Sequence, residues 1–355
     1  MTATAEGGQE PPGSPGPGSG SGSGSGSGPA RALGGDSRWA DIDGPVHYLD
    51  FGGPAGGPVL VCVHGLDGCA VNWAALAPLL TSRFRVLAPD LAGHGLTRSA
   101  GRGTSVTANQ ALLHRFVEAV PGVPVLLMGN SMGGMISLLE AAASPAAVAG
   151  LILVDPALPF APAWPDPAVA GLFTLFAAPW LGQLLMNRRR HQPPEALVAR
   201  LLSLCCADPA AVSPDVVAQH VEVVRRRAEF SDAERDVLTA LRSVMLAAGH
   251  GTGQAYRRAV GSVRQPTLLL HGDRDRLVPV SVARSAARTQ PGWTLVELPG
   301  VGHVPQLEAP GECEQAISAW LADGGRLALA AASRPGPVRR WWAKRSSGHA
   351  AEPEP

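Results

Sequence analysis

Two kinds of apolar pattern alternate along the chain: short runs that are almost wholly apolar, and longer stretches whose apolar residues recur every three to four positions. The first suits a strand buried on both faces, the second a helix with one buried stripe. Pro45 to Phe51 and Pro58 to Val63 are runs of the first kind, bounded by glycine clusters that punctuate strands. Asn72 to Leu80 reads as a helix with Trp73 on its inner face, and Phe84 to Ala88 as the next strand. Thr107 to Gln110 spells T-x-x-Q, a capping box that starts a helix carrying Leu112, Leu113, Phe116 and Val117. The run from Val123 to Gly129 then leads through Ser131 directly into the stripe Ile136, Leu138, Leu139, and Gly150 to Leu158 is a further buried strand.

At Pro159 the pattern changes. From there to Arg264 no strand pattern recurs, while helix starts do: Ser213-Pro214 places proline at a first helical position, and Ser231 to Glu234 reads as a capping box. Residues 159–264 are therefore expected to be an inserted all-helical cap. Strand pattern returns over Pro266 to Leu270 and Thr294 to Leu298, with helices after each, the last from about Glu312 to Leu321. The alternation outside the cap predicts an α/β fold, a mostly parallel sheet with helices on both faces, its core divided into residues 37–158 and 265–325. Residues 1–36, dominated by Gly, Ser and Pro from Gly7 to Pro29, are expected to form a disordered tail. Residues 326–355 read as a peripheral tail, although Leu327 to Ala332 suits a prolonged helix and Arg339 to Arg345 a solvated end.

Composition narrows the partners. The 355 residues are 45% hydrophobic and 16% charged with a formal net charge of +0, which gives no basic field for nucleic acid. Five cysteines, an odd number without metal spacing, fit a reducing cytoplasm, and the N-terminus shows no basic start followed by an apolar core. Within the cap, Pro167 to Asn187 carries no charge and is long enough to span a bilayer. Pro179 interrupts it, Gly171, Gly182 and Gln183 dilute it, and its ends must return to one sheet, so a lid is expected rather than a span. Peripheral membrane contact aided by Arg188 to Arg190 is the alternative. As a lid, it turns Phe173, Phe176 and Trp180 toward the serine and favours a small, largely apolar substrate.

The candidate chemistry begins at Ser131, where Gly129 and Gly133 complete G-x-S-x-G between a strand and a helix. A sharp turn there lifts the hydroxyl clear of the sheet and aims the N–H groups of the following helix at the same spot. A serine nucleophile needs a base, and the base an orienting acid. His303 lies in a glycine-flanked turn after the last strand, and Asp275 in the loop after the strand before it. His64 and His94 stand beside glycines at strand ends and are expected to brace loops. Leu66, after Gly65, is the candidate backbone donor to an oxyanion.

These segments together resemble the α/β-hydrolase family from Ser37 to Leu321 apart from the cap: GNSMGG the nucleophile elbow, VHGLDG the oxyanion loop, GDRDRLVP the acid loop, and GVGHVPQLEAP the loop of the catalytic histidine. The resemblance implies Ser131 as nucleophile, His303 as general base and then acid, Asp275 as its orienting carboxylate, and the N–H groups of Met132 and Leu66 as oxyanion hole. It implies no metal or organic cofactor. Asp155 and Asp273 compete for the acid role, but the family's G-x-x-D is met by Gly272 and Asp275. Serine in place of the aspartate nucleophile of related epoxide hydrolases and haloalkane dehalogenases favours acyl chemistry on an ester. Cleavage of a carbon-carbon bond in ring-fission products, haloperoxidase-like perhydrolysis and a non-catalytic binding role remain as alternatives.

Overall fold

A computed structural model of the chain describes residues 35–159, 166–189, 191–249 and 253–332. Of the tail expected over residues 1–36, Asp36 is already a strand residue, while residues 1–34 and the basic segment Arg339 to Arg345 lie outside the described residues. Eight strands form one sheet: β1 (Asp36–Asp41), β2 (Pro45–Gly52), β3 (Val59–Val63), β4 (Arg85–Pro89), β5 (Val125–Asn130), β6 (Val148–Val154), β7 (Thr267–Gly272) and β8 (Trp293–Leu298). Their spatial order is β1-β2-β4-β3-β5-β6-β7-β8. The pairs β1–β2 and β2–β4 are antiparallel, and all the others are parallel.

The central strands explain their own sequences. Every residue of β5 is buried. Leu126 and Met128 pack on one face with Ile152, Val154, Leu268 and Leu270, while Val125 and Leu127 pack on the other with Leu151, Leu153 and Leu269. Two dry faces leave no position for a polar residue, so the strands read as continuous apolar runs. β1 differs: as an edge strand with sequence DSRWAD it is largely exposed, and its charges hide it from a hydrophobic pattern.

Helices cover both faces: α1 (Ala77–Leu80), α2 (Val106–Ala119) and α3 (Met132–Ala143) precede the cap. The helix expected over 72–80 is broken. A 3-10 turn runs from Ala70 to Trp73, and α1 restarts with Pro78 in its first turn. Proline has no N–H to bond the carbonyl four residues back, so a continuous helix through Pro78 would lose that bond. Trp73 is nonetheless fully buried, as expected. The α2 cap is Ser105, whose hydroxyl accepts from the Ala108 N–H at 3.2 Å, rather than Thr107.

The insertion supplies α4 (Pro167–Ala177), α5 (Pro179–Arg189), α6 (Pro194–Cys205), α7 (Pro214–Arg227), α8 (Ala233–Ala248) and α9 (Gln254–Ser262), with no strand among the described residues. Proline opens the first four, where its missing N–H costs nothing. Asp232 precedes α8 without a side-chain cap, so the box expected over Ser231 to Glu234 does not form. α4 and α5 meet at a 99° bend, and no single helix among the described residues is long and apolar enough to cross a membrane. α9 belongs with the core: Tyr256 and Val260 are buried beside α3 residues, and the Tyr256 hydroxyl donates to the Ala157 carbonyl at 2.9 Å.

After the cap come α10 (Val280–Thr289), α11 (Pro305–Glu308), α12 (Pro310–Ala322) and α13 (Arg326–Ala332). α13 corrects the expectation of a peripheral segment from residue 326. Ala328 is fully buried, and a Cβ on Gly150 would lie 2.6 Å from its own Cβ, so glycine in β6 is what lets this helix lie on the sheet.

Candidate active site

Ser131 sits between β5 and α3 with φ 54° and ψ −116°, a conformation that costs an L-residue of order 1–3 kcal/mol. The turn is held by its backbone: the Ser131 N–H donates to the Val154 carbonyl at 3.0 Å, and its carbonyl accepts from Ala157 at 3.1 Å. The two flanking glycines have no room for a side chain. A Cβ at Gly129 would stand 2.4 Å from the Gly133 carbonyl oxygen, and one at Gly133 only 2.1 Å from that of Val63. The elbow is therefore wedged between α3 and the end of β3.

His303 follows β8, and its Nδ1 lies 2.6 Å from Asp275 Oδ2. Asp275 Oδ1 accepts from the N–H groups of Leu277 and Val278 at 2.7 and 2.9 Å. Burial opposes charge on Asp275, but the adjacent His303 outweighs it and holds the carboxyl below its ordinary value. An ionised Asp275 fixes the proton on His303 Nδ1 and leaves Nε2 to accept another. Ser131 and His303 line the same cavity.

The competing acids sit differently. Asp273 accepts from the Gly300 N–H at 2.7 Å on an exposed loop. Asp155 is fully buried at the end of β6, and its Oδ1 accepts from Gly272 N–H at 3.0 Å. Its polar atoms lie within 4.8 Å of those of Asp275 and His303, the one such cluster among the described residues that could hold a cation. Burial first, and then the charge of Asp275, push the Asp155 carboxyl well above its ordinary value, which favours its neutral form.

His64 and His94 brace loops. His64 Nδ1 donates to the Gly65 carbonyl at 2.8 Å while Nε2 accepts from Leu91 N–H at 3.0 Å, leaving neither nitrogen for a substrate. Burial, with His64 beside it, pulls His94 down to about 3. A second Ser-His-Asp chain joins Ser37, His47 and Asp90: Ser37 Oγ to His47 Nε2 at 2.9 Å, and His47 Nδ1 to Asp90 Oδ2 at 2.7 Å. It ties exposed β1 to the sheet and contributes nothing to the Ser131 cavity.

The cavity has a volume of about 520 Å³. Leu66 and Met132 both line it. Met132 is the first residue of α3, so its N–H has no partner within the helix. Gly65 brings the other loop close: a Cβ there would stand 3.2 Å from Ser131 Cβ. Phe173 and Phe176 of α4 and Met186 of α5 form the apolar roof. Trp180 does not join them. It is 88% exposed, because the bend at Ala178 turns the start of α5 outward, and it is removed from the expected lining residues.

Four contacts that no sequence pattern announced hold the site together. Asn130 Nδ2 donates to the carbonyls of Val154 and His303 at 3.1 and 3.0 Å, joining the elbow to the histidine loop. The His303 N–H donates to the Cys205 carbonyl at the end of α6, at 2.6 Å. Glu308 accepts from Gly302 N–H at 2.8 Å and Asp208 N–H at 2.7 Å. Arg189 of α5 forms an ion pair with Asp67, one residue beyond Leu66. Asn130, Asp67, His303 and Glu308 all stand inside recognised motifs, but nothing in those motifs names these partners.

The sequence matches the model of the alpha/beta hydrolase family over residues 60–316. The chain belongs to that family. It is 32% identical over 264 residues to the pimeloyl-[acyl-carrier protein] methyl ester esterase of Aromatoleum aromaticum, covering 72% of this chain and 95% of that protein. It is 30% identical over 258 residues to the pyrrolizixenacetamide deacetylase of Xenorhabdus hominickii, covering 72% and 88%. The structure of a membrane phospholipase A, 25% identical, superposes with a TM-score of 0.63 over 82% of this chain and 87% of that one.

Proposed function

We propose that this hydrolase cleaves an ester or related acyl bond of a small, largely apolar substrate through an acyl-enzyme on Ser131. The observation that carries the reading is the strained Ser131 at the floor of an apolar cavity it shares with a His303 whose Nδ1 is engaged by Asp275. Ser131 Oγ attacks the acyl carbonyl as its proton passes to His303 Nε2. The oxyanion is received by the N–H groups of Met132 and Leu66. His303 returns the proton to the departing alkoxide, and water repeats the sequence to release the acid. The methyl ester esterase and deacetylase among the relatives act, by name, on acyl bonds, which agrees with this reading.

Labelling with a fluorophosphonate tests it. The wild-type chain should take up one equivalent on Ser131, and Ser131→Ala none. A label found on Ser37 in the variant would transfer the chemistry to the edge of the sheet. Substrate preference has its own test on p-nitrophenyl esters of rising chain length. Phe176→Ser removes an aromatic ring worth about 1.5–3 kcal/mol of burial to a long acyl chain. Its KM for octanoate esters should rise about tenfold or more, with kcat and the acetate KM changed less than about twofold. Equal losses on acetate and octanoate would limit Phe176 to holding the cap together.

A further inference from the structure

Helix α5 is apolar on two opposite faces, and only one is covered. Gly182 and Met186 are buried. Trp180, Leu181 and Leu184 are 88%, 41% and 48% exposed. Trp180, Leu184 and Arg188 follow at intervals of four, so they form one stripe along the outer face. On α4, packed against α5, Leu175 is 41% exposed. A lone surface leucine is ordinary, whereas an exposed indole leading a run of leucines is a contact surface.

Asp166, which caps α4, is paired with Arg276, and within α4 and α5 the charges are of one sign. From Pro167 to Asn187 there is none, and the next residues are Arg188 and Arg189. Arg189 turns inward to Asp67, whereas Arg188 is exposed at the end of the stripe. Arg242 adds a cation at the bend, where its Nε donates to the Ala177 carbonyl at 3.0 Å. Neither α4 nor α5 contains an acidic residue. A self-complementary contact between two copies would bring these cations together with no partner on either elbow. An anionic bilayer offers what the surface lacks: an acyl boundary for the indole and leucines, and phosphates for Arg188.

We infer that the outer face of the α4–α5 elbow docks on the surface of an anionic lipid bilayer. The opposite side of the same helices roofs the cavity through Phe173, Phe176 and Met186. Docking would thus set the bilayer about one helix diameter, ~10 Å, from the cavity. That it delivers acyl substrates rests on the reading of Ser131 above; the docking itself does not.

Co-sedimentation of the full chain with extruded vesicles tests the inference, using equal parts phosphatidylglycerol and phosphatidylcholine, and phosphatidylcholine alone. Wild type should pellet with the anionic vesicles. Trp180→Ser combined with Leu184→Ser should reduce partitioning about tenfold or more, and Arg188→Glu about tenfold on the anionic vesicles only. Both sets of side chains are exposed and outside the cavity, so unchanged melting and unchanged hydrolysis of a soluble acetate ester should show that the variants are folded. Ser131→Ala should bind vesicles like wild type, which separates docking from chemistry. Wild type left in the supernatant with both compositions overturns the inference. So does pelleting that the elbow variants do not alter, or a Trp180-dependent dimer without vesicle binding.

Discussion

Replacing Ser131 with alanine should lower kcat on activated esters at least about a thousandfold, toward the roughly millionfold cost of removing a serine nucleophile elsewhere. Melting should shift by no more than about 2 °C. The hydroxyl faces the cavity and makes no hydrogen bond that holds the fold, whereas the backbone bonds to Val154 and Ala157 survive the substitution. Alanine also carries the same Cβ through φ 54°, so the strain is neither relieved nor increased. Stopped-flow hydrolysis beside a thermal melt separates the outcomes. Turnover within tenfold of wild type would remove Ser131 as nucleophile, and a large drop in melting temperature would make the loss structural.

The elbow was legible because sequence and structure there obey the same local rule. A strand buried on both faces must be apolar throughout, and two close backbone approaches must be glycine, so β5, Ser131 and α3 are written in consecutive residues. The strand before Asp275 is likewise buried throughout, whereas the one before His303 is only partly buried and carries Thr294 and Glu297. What failed lacked a local cause. β1 is an edge strand whose polar residues face water, leaving no hydrophobic alternation to read. α9 looks like another cap helix until Tyr256 is seen reaching Ala157, and α13 looks peripheral until Ala328 is seen against Gly150. An uncharged stretch from Pro167 to Asn187 reads as a lid with Trp180 inward; the 99° bend decides which face turns in, and no periodicity encodes it. The bonds from Asn130 to His303 and from His303 to Cys205 join residues far apart in sequence and are set by packing alone.

The acid can be assigned by a prediction that follows from protonation. Asp275→Asn should cost about 10³- to 10⁴-fold in kcat, because an amide can present its N–H to His303 Nδ1 and select the wrong tautomer. Asp273→Asn, on an exposed loop contacting Gly300, should stay within about twofold. Asp155→Asn should stay within about tenfold despite complete burial: burial and Asp275 favour the neutral form of the acid, and asparagine matches that form while still accepting from Gly272. The two buried positions should not act independently. After burial, the charge of Asp275 is the largest cause that raises Asp155, so in Asp275→Asn the neighbouring acid loses a repelling charge and becomes easier to ionise, within 4.8 Å of His303. Part of the activity left in Asp275→Asn should therefore depend on Asp155, and Asp155→Asn should cost more in that background than in wild type. Single-turnover acylation of the four proteins of this cycle measures the coupling. If Asp155→Asn alone abolished acylation while Asp275→Asn retained it, His303 would take its orientation from β6 and the assignment would reverse.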